Sequence, residues 1–166
     1  KIKSGNSSEI IIFNQYLYEV AQFLDKENAN FLFPWSPSSK LDLPRFKYSK
    51  ESNFKSAIIG YMDFLHGIAL SSGIDFFKMG NGDYDTDYVG KGEKIISLIK
   101  EDYNFIYCHI NAPDEVSHQG DLQKKVSSLE KIDKLIVGPL LNFFKNNQDN
   151  LGGVLVTTDH YTNLFA

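Results

Sequence analysis

Cysteine is almost absent from this sequence, since Cys108 is the single one. One cysteine cannot form a disulfide within the chain. A reducing compartment, the cytoplasm, is therefore the expected location. No apolar run reaches the roughly 18 residues that a membrane helix needs, and no signal-peptide pattern opens the chain. We therefore expect no membrane partner.

An excess of basic charge is also missing. The 17 lysines and arginines stand against 21 aspartates and glutamates, for a net charge of -4. A nucleic-acid partner would need a basic surface, so none is expected. The glycine-rich stretch Gly80–Asp87 has neither the lysine-serine ending of a P-loop nor the G-x-G-x-x-G spacing, and it is equally well an ordinary β-α turn.

Apolar residues are abundant enough for a folded domain. They make up 42% of the 166 residues, and aromatic residues make up 14%. From Ser56 onward, short apolar runs alternate with helical patterns, which predicts an α/β fold with a mostly parallel sheet and helices on both faces. The predicted strands cover residues 57–59, 74–77, 105–110 and 154–157; the predicted helices cover residues 62–71, a stretch after Thr86 or Asp87, and a long stretch from Asp121 that Pro139 should bend.

The first part of the chain fits this alternation less well. Ser7 and Ser8 can cap a helix with apolar positions such as Leu17, and residues 31–33 form a short strand candidate. We therefore divide the chain into residues 1–54, a segment leading into the core that could be part of or next to a cap domain, and residues 55–166, the C-terminal part of an α/β domain.

Two pairs of aspartate and histidine follow predicted strands. Asp114 and His118 lie four residues apart after the third strand, and Asp159 and His160 follow the fourth. Ligands gather beyond the carboxyl ends of parallel strands, so the two pairs predict a two-metal site of the kind that moves phosphoryl groups. The mixed oxygen and nitrogen donors suit Mn²⁺ or Zn²⁺, and Mg²⁺ is also possible.

Each of these residues has a plainer interpretation. Asp114 with His118 could be a loop capping pair, and aspartate is common at a strand exit. His109 and His66 are better explained as structural histidines. Lys91 could contact a substrate phosphate or be a solvated surface residue. Trp35 could pack on a substrate or fill space between two domains.

The sequence resembles the archaeal-type, cofactor-independent phosphoglycerate mutases of the alkaline phosphatase superfamily. The resemblance spans most of the chain from Phe31 onward. Its motifs are Phe33-Pro34-Trp35 with Leu43-Pro44-Arg45-Phe46, residues 80–91 including Asp85-Thr86-Asp87-Tyr88, residues 109–133 with Ala112-Pro113-Asp114-Glu115, and the ending Val156-Thr157-Thr158-Asp159-His160.

The resemblance implies an alkaline-phosphatase-like core and a metal-dependent isomerase of glycolysis and gluconeogenesis. Such an enzyme interconverts 3-phosphoglycerate and 2-phosphoglycerate through a phosphoserine. Asp114 and His118 would match the ligands of one divalent ion, with manganese the first choice, and Asp159 and His160 those of the other. The substrate is then a small phosphorylated acid, and the resemblance leaves the oligomeric state open.

The chain departs from the family in several places. The family's serine nucleophile and N-terminal metal-binding aspartate would precede the matched region, and a further histidine ligand would follow Ala166. We therefore expect a C-terminal portion of a longer enzyme that is inactive alone. Trp35-Ser36-Pro37-Ser38-Ser39 and Gly80-Asn81-Gly82-Asp83 replace family loops, so a phosphatase or sulfatase of the same superfamily, or a non-catalytic domain, are the alternatives.

Overall fold

The computed structural model describes residues 7–24, 31–34, 43–46, 53–147 and 152–163. The chain divides into two compact units, Lys1–Leu41 and Asp42–Ala166. The division between residues 54 and 55 stays a prediction.

The first unit contains helix α1, Ser8–Phe23. The Ser7 hydroxyl accepts a hydrogen bond from the Ile10 amide at 3.4 Å, which confirms the predicted cap. Leu17 is buried within the unit, whereas Ile12 and Phe23 remain exposed. The strand predicted at residues 31–33 is wrong, because this stretch has no strand partner among the described residues.

The second unit is built on three parallel strands, β1 (Lys55–Gly60), β2 (Asp75–Lys78) and β3 (Tyr103–Cys108), in the order β2-β1-β3. Helices α2 (Asp63–Ser72) and α3 (Tyr88–Lys100) connect them. After β3 come α4 (Ala112–His118), α5 (Leu122–Ile132), a π-helical segment (Asp133–Val137) and α6 (Gly138–Asn146).

Helices cover both faces of the sheet, as the sequence predicts. Side chains alternate along β1, so Ile58 packs with Leu65 and Ala69 of α2. Ala57 and Ile59 point the other way, into the larger core that α3 and the last helices complete. The buried apolar positions of this larger core are Ala57, Ile59, Tyr88, Ile95, Leu98, Ala112, Ile136 and Leu140.

The long helix predicted from Asp121 is confirmed, with a change of geometry inside it. Asp121 caps α5 by accepting a hydrogen bond from the Lys124 amide at 2.9 Å. Just before Pro139, the Gly138 amide donates to the carbonyl of Asp133, five residues back, instead of four. Proline has no amide hydrogen and crowds the carbonyl four residues before it, so a wider turn is accommodated here.

The fourth predicted strand is wrong. Residues 152–163 pair with no strand in the described part of the chain, and Leu155 and Val156 are exposed. An apolar run makes a strand only if a neighbouring strand accepts its backbone hydrogen bonds, and that requirement is not visible in the run itself. Asp159 and His160 therefore follow a segment that lies outside the sheet and not a sheet strand.

Candidate metal centre

Helix α4 positions the first aspartate and histidine pair. Its first turn forms where the Asp114 amide donates to the Asn111 carbonyl at 3.0 Å, and Pro113 lies in this turn, where a missing amide hydrogen costs nothing. Val116 and Ser117 are buried and fix the rotation of the helix. Asp114 Oδ1 and His118 Nε2 then face each other on one side of the helix, 3.5 Å apart.

The second pair lies on the segment formed by residues 152–163, the last described part of the chain. The His160 amide donates to Asp159 Oδ1 at 2.9 Å, and His160 Nε2 lies 3.6 Å from Asp159 Oδ2. The side chain of Asp159 is 72% exposed, so packing contributes little to its position.

Thr162 brings the two pairs together. Its hydroxyl donates to Asp114 Oδ1 at 2.5 Å and lies 3.2 Å from His160 Nδ1. Its carbonyl accepts a hydrogen bond from Lys125 Nζ of α5 at 3.3 Å. Asp114 and His160, 46 positions apart in the chain, thus belong to one hydrogen-bonded group, and sequence reasoning did not single out the threonine that joins them.

His109 approaches the same region from the end of β3. Its amide donates to the Ile59 carbonyl at 2.8 Å, which aligns the exit of β3 with β1. Burial lowers the pKa of His109, while the charge of Asp159, and more weakly that of Asp114, acts in the opposite direction. The hydrogen bond of its amide fits the structural role expected from the sequence. The charges of Asp159 and Asp114 nevertheless influence the pKa of its ring.

Lys91 is buried, which neither alternative from the sequence anticipated. Only 1% of its surface is exposed, and Nζ donates to the His109 carbonyl at 3.1 Å. Burial lowers the pKa of Lys91, with Cys108 and Asp87 opposing that shift. Through this hydrogen bond, Lys91 stabilises the backbone at the end of β3. Trp35, the other predicted substrate contact, lies outside the described residues.

The loop after β2 is stabilised mainly by its own side chains. Thr86 Oγ1 donates to the Asn81 carbonyl at 2.8 Å, and Asn81 Nδ2 donates to Asp85 Oδ1 at 3.0 Å. Asp87 caps α3 by accepting from the Gly90 amide at 2.8 Å, as predicted. The contact of Asn111 Nδ2 with the Gly82 carbonyl, at 3.4 Å, links this loop to the start of α4.

The spacing of the nitrogen and oxygen atoms within each pair is compatible with a shared divalent ion. Nitrogen and oxygen are 3.5 and 3.6 Å apart in the two pairs, too far for a good hydrogen bond. Two donors of a tetrahedral ion, each bonded at about 2.1 Å, lie about 3.4 Å apart. Each pair therefore has the spacing of two ligands of one ion. Among the described residues, no group of three or more histidine, cysteine, aspartate or glutamate side chains converges.

Comparisons with known proteins agree with this chemistry. A sequence profile described as the Metalloenzyme superfamily matches residues 37–164. A 2,3-bisphosphoglycerate-independent phosphoglycerate mutase from Methanosarcina acetivorans is 34% identical over 140 residues, covering 82% of this chain and 34% of that protein. A probable mutase of the same name from Geobacter sulfurreducens is 29% identical over 168 residues, covering 98% of this chain and 40% of that protein.

A solved structure is similar as well. The PH0037 protein from Pyrococcus horikoshii superposes with a TM-score of 0.52 at 25% identity, covering 59% of this chain and 30% of that one. The chain spans about a third of the length of the curated relatives that it matches.

Proposed function

The chain belongs to the Metalloenzyme superfamily, and from that premise we propose that it is part of a metal-dependent phosphoglycerate mutase, an isomerase that interconverts 3-phosphoglycerate and 2-phosphoglycerate. The observation that carries the proposal is the joining of Asp114–His118 to Asp159–His160 through Thr162. Curated relatives bearing the mutase name support the choice of reaction.

In this proposal each pair holds one divalent ion. Asp114 and His118 would bind one ion and Asp159 and His160 the other, with Mn²⁺ the first choice and Mg²⁺ or Zn²⁺ the alternatives. The ions would neutralise phosphate charge and lower the pKa of a serine nucleophile, which we place outside this chain. The cytoplasm is the proposed location.

The chain's own residues would orient these donors. Thr162 contacts one ligand of each pair, and α4 fixes the two ligands of the first pair on one face. Because Asp159 and His118 have largely exposed side chains, both ions would face the space into which a small phosphorylated acid could enter. The residues missing from each coordination shell would come from the rest of the protein or from the substrate.

The experiment is to follow the full-length protein with ³¹P NMR after adding 3-phosphoglycerate and Mn²⁺. The proposal expects a 2-phosphoglycerate resonance, and its loss in the Asp114→Asn variant. Free phosphate without 2-phosphoglycerate would instead identify a hydrolase of the same superfamily. No turnover at all, with two ions bound, would identify a metal-binding domain that lacks catalysis.

Lys91 and Trp35 stay proposed substrate contacts. Lys91 touches the backbone of His109 at the exit of β3, which brings its charge near the candidate centre although its side chain is buried. In the full-length enzyme, Lys91→Ala should raise KM for 3-phosphoglycerate. An unchanged KM would assign Lys91 to structural support of the strand exit alone.

A further inference from the structure

Thr162 lies where three parts of the candidate centre meet. Its hydroxyl contacts Asp114 of α4 and His160 of its own segment, and its carbonyl contacts Lys125 of α5. Thr162 is half-buried, unlike Asp159 and His160, which are exposed. It does not belong to the proposed donor set, yet it touches a member of each pair.

The positions of the protons follow from the chemistry of the three groups. A threonine hydroxyl has one proton to donate and can also accept, whereas an ionised carboxylate can only accept. The 2.5 Å contact with Asp114 therefore uses the proton of Thr162. With that proton in use, the 3.2 Å contact between Thr162 Oγ1 and His160 Nδ1 is a hydrogen bond only if Nδ1 carries a proton and donates it to Thr162.

This assignment decides which nitrogen of His160 is free. A neutral imidazole has one N–H, so donation from Nδ1 leaves a lone pair on Nε2. Nε2 is the atom that faces Asp159 Oδ2 at 3.6 Å. The lone pair thus points toward the place where the second ion would bind.

We propose that Thr162 is a positioning residue of the metal centre. It holds His160 in the Nδ1–H tautomer and aligns the second pair with Asp114. The proposal rests on the proposed function, because it takes the two pairs to be metal ligands. If the two pairs bind ions, Thr162 would contact one ligand of each ion, and such contacts orient a ligand and set its basicity.

The segment formed by residues 152–163 belongs to no strand within the described ranges, so strand pairing does not fix the positions of Asp159 and His160. Thr162 makes hydrogen bonds that join this segment to α4 and α5. A side chain without the hydroxyl would remove the bonds to Asp114 and His160 together.

The first experiment compares Thr162→Val with Thr162→Ser in the full-length, metal-free protein. Valine preserves the shape of threonine without the hydroxyl, and serine preserves the hydroxyl. Two-dimensional ¹H–¹⁵N NMR of labelled histidines at pH 8, with the His160 signal identified by its absence in His160→Gln, should show the Nδ1–H tautomer in wild type and Thr162→Ser. Thr162→Val should populate the Nε2–H tautomer.

The second experiment titrates the same proteins with Mn²⁺ in a calorimeter. Thr162→Val should weaken binding about 10- to 100-fold, as loss of an outer-shell partner does, while Thr162→Ser should stay within about threefold of wild type. An unchanged tautomer in Thr162→Val, or an unchanged Mn²⁺ affinity, would overturn the proposal.

The two readouts separate this inference from the proposed function. If wild type binds Mn²⁺ and Thr162→Val binds it equally well, the inference is wrong and the metal centre stands. If wild type binds no divalent ion, the proposed function fails, and the role assigned to Thr162 at a metal centre is overturned with it even where the tautomer depends on the hydroxyl.

Discussion

Asp114 contacts both His118 and Thr162 in the candidate centre. Its carboxylate supplies the negative charge beside both contacts. Asp114→Asn preserves the shape of the side chain but removes the negative charge that attracts a cation. We expect Mn²⁺ affinity to fall at least about tenfold, measured by calorimetry on the full-length protein.

The matched control is Asp63→Asn. Like Asp114, Asp63 lies in the first turn of a helix, but it is in α2, outside the candidate centre, and its side chain accepts a hydrogen bond from Lys78 Nζ at 2.9 Å. Its variant should bind Mn²⁺ as wild type does. Equal losses in both variants would mean that the overall charge of the protein, and not the Asp114 site, governs binding.

Cys108 provides a test of pH dependence at one residue. Burial raises the pKa of the Cys108 thiol from 9.0 to about 11, with Lys91 acting in the opposite direction. Because the folded pKa lies above the unfolded value, the thiol contributes stability below pH 9.0, and that contribution is lost as the pH rises from 9.0 through about 11.

The same shift predicts slow thiol chemistry in the folded protein. Only the thiolate reacts, and the rise of the thiol pKa from 9.0 to about 11 lowers the thiolate fraction at pH 8 about 100-fold. Because a more basic thiolate is a better nucleophile, alkylation of Cys108 should be about tenfold slower, or more, in the folded than in the unfolded chain. The measurement is mass spectrometry of the Cys108 peptide after timed iodoacetamide pulses, with and without denaturant. Equal rates in the two states would contradict a raised thiol pKa at the half-buried Cys108.

For helices and strands, the sequence predicts the features that depend on residues close together in the chain. Ser7, Asp87 and Asp121 each satisfy backbone amides of the turn that follows, so the starts of three helices are predictable and confirmed. The failed strand at residues 154–157 needed a distant partner. The π-helical segment depends on a bond between Gly138 and Asp133 that no apolar periodicity records.

The packing of α3 against that segment leads to a prediction. A Cβ added at Gly92 would lie 2.7 Å from the carbonyl oxygen of Leu135, and backbone cannot give way as a flexible side chain can. Gly92→Ala should therefore lower the free energy of unfolding by about 1–3 kcal/mol, because one of the two elements must shift.

Gly67 in α2 is the control for this substitution. A Cβ there would meet nothing within 4 Å, so Gly67→Ala should raise the free energy of unfolding by about 0.5–1 kcal/mol through the better helix propensity of alanine. Urea unfolding of both variants measures the difference. A stable Gly92→Ala variant would show that the helices can separate without cost.

The centre as a whole was predictable only in part. The donor types and spacing in Asp114–His118 and Asp159–His160 stand out in the sequence, since both pairs can be noticed without any knowledge of the fold. The contacts of Thr162, and the effect of the Asp159 and Asp114 charges on His109, could not be found in this way. Their importance comes from hydrogen bonds and charges that cross between β3, α4, α5 and the terminal segment.

For the whole molecule, metal binding should be visible as stability. A ligand that binds only the folded state stabilises it by about 2.7 kcal/mol when present at 100 times its Kd. We therefore expect Mn²⁺ to raise Tm of the full-length protein and a chelator to lower it, measured by scanning calorimetry. His160→Ala, which removes one ligand of the second pair, should shrink the shift, and adding Asp114→Asn should abolish it.

Ca²⁺ prefers six to eight oxygen donors and should stabilise less than Mn²⁺. A Mn²⁺ shift of equal size in wild type and the double variant would mean that the stabilising ion binds elsewhere in the protein.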